Sequence, residues 1–524
     1  MPSVLFYVRR VVNIALFGSP DACYPNAMEQ GVDAARVVGE RRGGGSAAHP
    51  SADASDVCRM GVADLTTAYR SGALSPVEVV REVLDRAEIV DARFNAFVTI
   101  DHEGAMAEAK ASEQRWHAGA PASGIDGVPA TIKDIVAVRG QPMRAGSRAT
   151  ETLPQPVDSP AVERLRSAGT PILGLTTTPE FGFQAITESP LTGITSNPWD
   201  SRLTPGGSSG GAAVAAVTGA GVLHLGTDGG GSIRIPAAFT GIAGLKPSYG
   251  RVPAYPPSPF GTLAHLGSMA RDVADARAMI QVIAGRDARD WYQQSGDFPP
   301  ITDRAFHFKG ARVGLWAAPA SGGVDPELAA ACEQACRLIE EAGAVIEEIA
   351  LPSFPLLEMF TTHWYAGAAA RLAAIKPEQR QVCDPEFLLI AGEGAALSAQ
   401  DYCSMSAMRA EFGRQMDLLF SAYDVIVSPA TPIAAFRTGA QAPAGSGYRR
   451  WTDWAGFSFP LNLSQQPGCV VPCGMVSGNR PVALQFAAPR GFDHVALSAA
   501  VAFEAMAGTE NITKDHGSNR NENS

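Results

Sequence analysis

Apolar residues recur at helical spacing through "LSPVEVVREVLDRAEIVDARF", residues 74–94, where Ser75 and Pro76 stand as N-cap and first helical residue. The stretch then runs into a strand-like "AFVTI" at 96–100. Short apolar runs at 128–138 ("VPATIKDIVAV"), 171–178, 312–317, 344–351 and 424–430 predict further strands. Helical patterns such as "PELAAACEQACRLIEEAG" at 326–343 lie between them. Strands alternating with helices predict an α/β fold: one large domain over 60–507 with a mixed, mostly parallel central sheet covered by helices on both faces. Residues 1–59 are expected to form a poorly structured extension. "GERRGGGSAAHPSADAS" at 39–55 is rich in Gly, Ser, Ala and charge and lacks an apolar face. A polar tail over 508–524 is expected to be disordered.

Composition narrows the partners. The chain has 524 residues, of which 46% are hydrophobic, enough for a large core. Asp and Glu outnumber Lys and Arg by 53 to 42, a formal charge of −11, which disfavours nucleic acid as a partner. Arg9 and Arg10 split the apolar N-terminus into pieces too short to span a membrane, and the basic pair sits inside the apolar stretch rather than before it, unlike a secretory signal. The eight cysteines include Cys332/Cys336 and Cys469/Cys473, neither pair having the second half of a zinc site. Buried thiols in a reducing cytoplasm are the expectation.

Candidate chemistry gathers in "LTPGGSSGGAAVAAVTGAGVLHLGTDGGGSIRIPAAFTG", 203–241, where two serines sit in glycine loops on either side of a helical run. "GGSSG" fits G-x-S-x-G and nominates Ser208, but the downstream histidine at a suitable distance, His494, reads as a surface or capping residue. A serine cap on a tightly packed helix explains this loop equally well. The second loop is different. Three consecutive glycines before Ser232 cost conformational entropy without adding side-chain packing, whereas their backbone N–H groups can converge on an oxyanion. No Gly-Lys-Ser/Thr follows, so acyl transfer is favoured over phosphate binding. A serine nucleophile without histidine needs another base, and Lys133 stands at the end of an apolar strand, where the alternative is a simple pair with Asp134.

Together "GVPATIKD", "PGGSSGG" and "GTDGGGSIRIPAAFTGIAGLKPSYGRV" resemble the amidase signature family, amide hydrolases with a Ser-cis-Ser-Lys triad. The segments at 178–200 and 462–474 ("NLSQQPGCVVPCG") agree with it. The resemblance implies Ser232 as acylating nucleophile, Ser208 as a bridging serine after a cis peptide bond, and Lys133 as base. It implies an oxyanion site from the N–H groups of Gly229, Gly230, Gly231 and Ser232, and loop support from Asp228 and Arg234. Gly182 and its neighbours, the 355–410 region and 449–459 would line the acyl pocket, with Trp451, Trp454, Phe457 and Phe459 as candidate aromatic walls. Neither metal nor organic cofactor is expected, and the partner is a small-molecule amide, with a homodimer left open. One position departs from the family, which has Thr where this chain has Gly229, and a freer loop is the expectation. The alternatives are the ammonia-releasing component of a glutamine-dependent tRNA amidotransferase, disfavoured by Ile235 and by "TPEF" at 178–181, and a catalytically silent scaffold.

Overall fold

Ser75 caps the helix Pro76–Phe94 as its sequence predicts: the Ser75 side chain accepts from Glu78 N and the Glu78 carboxylate accepts from Ser75 N. In this computed structural model the described residues are 57–293 and 298–508. The extension up to residue 56 and the tail from 509 lie outside them. Val57–Arg59, placed in the extension by the sequence, instead form a 3-10 turn with Cys58 buried, and Arg271 donates to Cys58 O and Met60 O. The described residues thus begin at Val57, inside the stretch expected to be the extension. The described residues form one compact unit, and no helix among them is long and apolar enough to cross a membrane.

Strands follow in chain order as β1 (Phe97–Ile100), β2 (Ala130–Lys133), β3 (Ile172–Thr176), β4 (Glu188–Ser189), β5 (Gly193–Ile194) and β6 (Leu223–Asp228). Next come β7 (Ala243–Lys246), β8 (His265–Ala270), β9 (Arg312–Trp316), β10 (Val345–Ile349), β11 (Val425–Pro429), β12 (Gly468–Val476) and β13 (Arg480–Ala487). Eleven of them make one mixed sheet in the order β1-β3-β2-β6-β8-β7-β12-β13-β11-β9-β10, and β4 and β5 pair separately. Parallel pairing holds on the two flanks, β3-β2-β6 and β11-β9-β10, where helices cross between strands. The centre, from β6 through β8, β7 and β12 to β13, is antiparallel, and so are the β13-β11 join and the β1-β3 edge pair. The β12-β13 hairpin needs only a short turn, whereas the parallel joins need crossovers.

The strand predicted over 128–138 ends at Lys133, because Asp134 turns out of the sheet to accept from Arg144 N and Gly146 N. Cysteines behave less uniformly than expected: Cys58, Cys332, Cys336, Cys383 and Cys469 are buried, but Cys403 is exposed. Both serine loops lie at the carboxyl ends of the parallel neighbours β2 and β6, the edge at which open α/β sheets place their sites.

Candidate active site

Lys133 closes β2 with its side chain wholly buried. Its Nζ lies 2.6 Å from Ser208 Oγ, 2.9 Å from Ser209 Oγ and 2.9 Å from Thr227 Oγ1. Asp134 faces away, onto backbone N–H groups, so the simple Lys133–Asp134 pair does not form. Burial pushes the Lys133 amine well below the ordinary lysine range, and the nearby Asp228 charge offsets only part of that.

The first loop enters the helix Gly210–Thr218 through a cis Gly207–Ser208 peptide. Gly182 backs Ser208: a Cβ there would stand 3.2 Å from Ser208 Oγ, and its φ of 68° lies in the left-handed region. The two loops are tied by Ser209 N donating to Ser232 O at 3.1 Å. Ser208, Ser232, Gly182, Gly229 and Thr227 line one cavity of about 210 Å³.

Behind Ser232 the glycines are not interchangeable. A Cβ at Gly229 would lie 2.7 Å from Trp364 Cζ3, and one at Gly230 would lie 2.6 Å from Phe360 Cζ. The indole thus covers the place that a side chain at 229 would take, so the departure from threonine is matched by packing, and the expectation of a freer loop is corrected. Gly231, at φ 132°, donates its N–H to Asp228 Oδ1 at 2.8 Å. That N–H is spent on the loop, so of the four expected donors only Gly229, Gly230 and Ser232 keep N–H groups with no acceptor among the described residues.

Asp228 and Arg234 are both fully buried and meet through two hydrogen bonds of 2.9 Å. Burial alone would raise the Asp228 carboxyl; the Arg234 charge and hydrogen bonds outweigh it and hold the group ionised, well below the usual carboxylate range. Arg234 also donates to Ser458 O and Gln485 Oε1, and Asn462 bridges Asp228 and Leu263 O. Neither Asn462 nor Gln485 was given a role from sequence. Asn462 heads the quoted "NLSQQPG" run, the one available signal, whereas Gln485 sits unmarked in an apolar strand.

Of the segments expected to line the cavity, Gly182 with its neighbour Phe181 and the 355–410 region, through Trp364 and Arg371, do so, and 449–459 does not. Trp451, Trp454, Phe457 and Phe459 are core residues that do not line it. The aromatic wall is made instead by Phe181 and Trp364 from the other expected segments, and by Tyr255 to Phe260 from "AYPPSPF", which the sequence did not suggest. Trp364 and Phe260 stack with centroids 3.9 Å apart. A histidine does stand on the wall: His265, whose Nδ1 donates to Leu263 O at 2.7 Å and which burial keeps neutral. Among the described residues it makes no hydrogen bond to either serine. His494 starts the C-terminal helix Asp493–Ala507 and lies off the cavity.

Comparison with known proteins gives the family. The amidase family model matches residues 78–497. A glutamyl-tRNA(Gln) amidotransferase component of Myxococcus xanthus is 34% identical over 466 residues, covering 83% of this chain and 94% of that protein. An acylamidase of Rhodococcus erythropolis is 34% identical over 456 residues, covering 85% and 95%. The crystal structure of a bacterial aryl acylamidase of the amidase signature family superposes with a TM-score of 0.82 at 27% identity, over 89% of this chain and all of that one. Matched over most of its length by the family and by relatives a third identical to it, the chain belongs to the amidase signature family.

Proposed function

We propose that this chain is a free-standing hydrolase of small carboxylic amides, with Ser232 as nucleophile, Ser208 as proton bridge and Lys133 as base. The observation that carries the reading is the setting of Lys133. It is fully buried, surrounded by three hydroxyl groups, and no carboxylate among the described residues lies within ion-pair distance of it. An amine so placed is held neutral and has a lone pair to offer. One of the three hydroxyls is Ser208, which shares a cavity with Ser232.

In the reaction, Ser232 Oγ attacks the amide carbon while its proton passes to Ser208 and the Ser208 proton passes to Lys133 Nζ. The Gly229, Gly230 and Ser232 N–H groups receive the oxyanion, each donor being worth about 3–4 kcal/mol in such sites. The proton returns along the same path to the leaving nitrogen, the C–N bond breaks, and ammonia or an amine departs. Water then adds to the acyl-serine by the reverse route and releases the acid.

Cavity size bounds the substrate. An engineered protein cavity of about 150 Å³ accommodates benzene, so about 210 Å³ admits a single ring or a short chain with its carboxamide. The acylamidase name of one relative agrees with such a substrate. A second reading, a component of a tRNA amidotransferase, is supported by the equal identity to a protein of that name; Ile235 and "TPEF" at 178–181 weigh against it. Purified chain, with no partner added, is to be given a panel of single-ring and short aliphatic amides, with glutamine alongside, and ammonia measured against acid. Equal yields of the two from the simple amides are expected. Turnover of glutamine alone, or only on addition of partner proteins, would overturn the proposal in favour of the second reading.

A further inference from the structure

Along the helix Leu356–Ala373, residues 360, 364, 367 and 371 fall on one stripe at spacings of four, three and four. That stripe runs beside the site. Phe360 lies against Gly230, and Trp364 against Gly229. Gly367 is needed for contact with the cavity wall, since a Cβ there would stand 2.6 Å from Phe260 Cδ1 and 3.0 Å from Pro259 O. Arg371 follows on the same face and also lines the cavity. Its guanidinium stacks 4.4 Å from the centre of the Phe181 ring. Phe181 precedes Gly182, the residue that backs Ser208.

Among the described residues, the Arg371 guanidinium makes no hydrogen bond and no ion pair. The carboxylate whose charge reaches it, Glu180, does not bond to it and instead accepts from the Ser147 hydroxyl and from Asp384 N, each at 2.5 Å. A guanidinium carries five N–H donors in a planar fork that fits a carboxylate. On the cavity wall the guanidinium has apolar neighbours in Ile135, Val136, Met143, Phe181 and Leu266, and none of the polar side chains on that wall, Ser208, Thr227, Ser232, Tyr255, Ser258 and His265, bonds to it, so its donors are open to acceptors that enter the cavity.

Distance limits what can do so. Seven helical residues separate Trp364 from Arg371, roughly 10 Å along the axis, and a long helical side chain leans back toward the helix N-terminus. The guanidinium therefore stands within one small acyl group of the glycine run.

Resting on the amidase reading above, we propose that Arg371 is a specificity-determining residue that binds a carboxylate on the acid part of the substrate, so that the preferred substrates are half-amides of small dicarboxylic acids. The apolar wall holds the intervening carbons or ring, and the fork holds the far carboxylate.

The test compares matched pairs: succinamic, glutaramic and adipamic acids against the methyl-terminated amides of equal length, and para-carbamoylbenzoate against para-toluamide. The full chain is assayed as wild type, Arg371→Leu and Arg371→Lys, and each preparation is titrated with an acyl-phosphonate that reacts at Ser232. Wild type is expected to favour the acid member of at least one pair. Arg371→Leu should raise KM for that acid about tenfold to a hundredfold, the range for losing charge-assisted hydrogen bonds, and collapse the acid-to-neutral ratio. Arg371→Lys should restore part of it. If Ser232 labels fully but wild type and Arg371→Leu share one acid-to-neutral ratio, the inference about Arg371 falls while the amidase reading stands. If Ser232 does not label and no amide in any pair yields ammonia, the amidase reading falls and takes this inference with it.

Discussion

Asp228→Asn tests how the nucleophile loop is held. The carboxylate oxygens take six N–H donors: Gly231, Arg234 Nη2 and Asn462 on Oδ1, and Ile233 N, Arg234 N and Arg234 Nε on Oδ2. Whichever way an asparagine amide is turned, its NH2 group faces three of those donors inside the protein. Breaking a buried ion pair on one side costs about 3–5 kcal/mol. Arg234 keeps its bonds to Ser458 O and Gln485, which places the expected loss at the lower end, about 3 kcal/mol. That is a large part of the roughly 5–15 kcal/mol that keeps a domain folded. Because the Asp228 carboxyl is held below its unfolded range, its stabilisation is complete above that range and drains away as pH falls toward the folded value. The gap between wild type and variant in urea unfolding should thus be full at neutral pH and shrink in acid. Kinetics give a second readout. Asp228 is the charge that favours the ammonium form of Lys133, so removing it should move the rising limb of kcat/KM to lower pH, while loosened oxyanion donors cut kcat about a hundredfold or more. A variant with unchanged stability, or a limb that stays in place or moves to higher pH, would refute this account of the loop.

Ser232→Ala should abolish acylation and phosphonate labelling, whereas Ser208→Ala should keep a slow residual turnover; equal turnover in Ser232→Ala and wild type would remove the nucleophile assignment. Wild-type kcat/KM should rise with pH through one ionisation below the ordinary lysine range and be indifferent to chelators, and Lys133→Ala should lose most of the rate and that limb, with no rescue by the permanently protonated Lys133→Arg. Burial pushes the adjacent Asp134 carboxyl up to about 7, so the assignment to Lys133 requires the limb to survive Asp134→Asn. Gly229→Ala should cost about 1–3 kcal/mol through its contact with Trp364; in a double-mutant cycle Trp364→Leu should relieve much of that loss, and simple additivity would show that the two positions are not coupled.

Much of the fold was legible because its signals are local. Ser75, Pro76 and Glu78 define a helix start within four residues, and short apolar runs mark β1, β3, β9, β10 and β11 close to where they occur. Strand direction was not. A strand buried on both faces reads the same whether its neighbour runs parallel or antiparallel, so "GLK" in β7 and "LGSM" in β8 carry no mark of the antiparallel centre. Aromatic residues posed a related difficulty. Trp454 and Phe457 fill the core while Trp364 faces the cavity, and the sequence alone gives no phase that separates them, since the helix carrying Trp364 is apolar around much of its circumference.

The glycine run shows where reading residues one at a time stops short. From sequence, three glycines in a row looked too costly for packing and therefore looked like anion donors. In the folded chain both pressures act at once, and they divide the run. Trp364 and the Phe360–Trp451 pair leave no room for a Cβ at 229 or 230, so glycine is required there for packing as much as for its N–H. At 231 the backbone is left-handed, a Cβ would meet Ser458, and the N–H belongs to Asp228. The carboxylate that takes this donor also accepts from the N–H groups of Ile233 and Arg234 and so holds the turn that carries Ser232. Asn462, which donates to it, and Gln485, which accepts from its partner Arg234, lie more than two hundred residues downstream. The local motif therefore names the groups proposed to react, but their placement depends on strands as far apart in sequence as 223–228 and 468–487, which share one sheet.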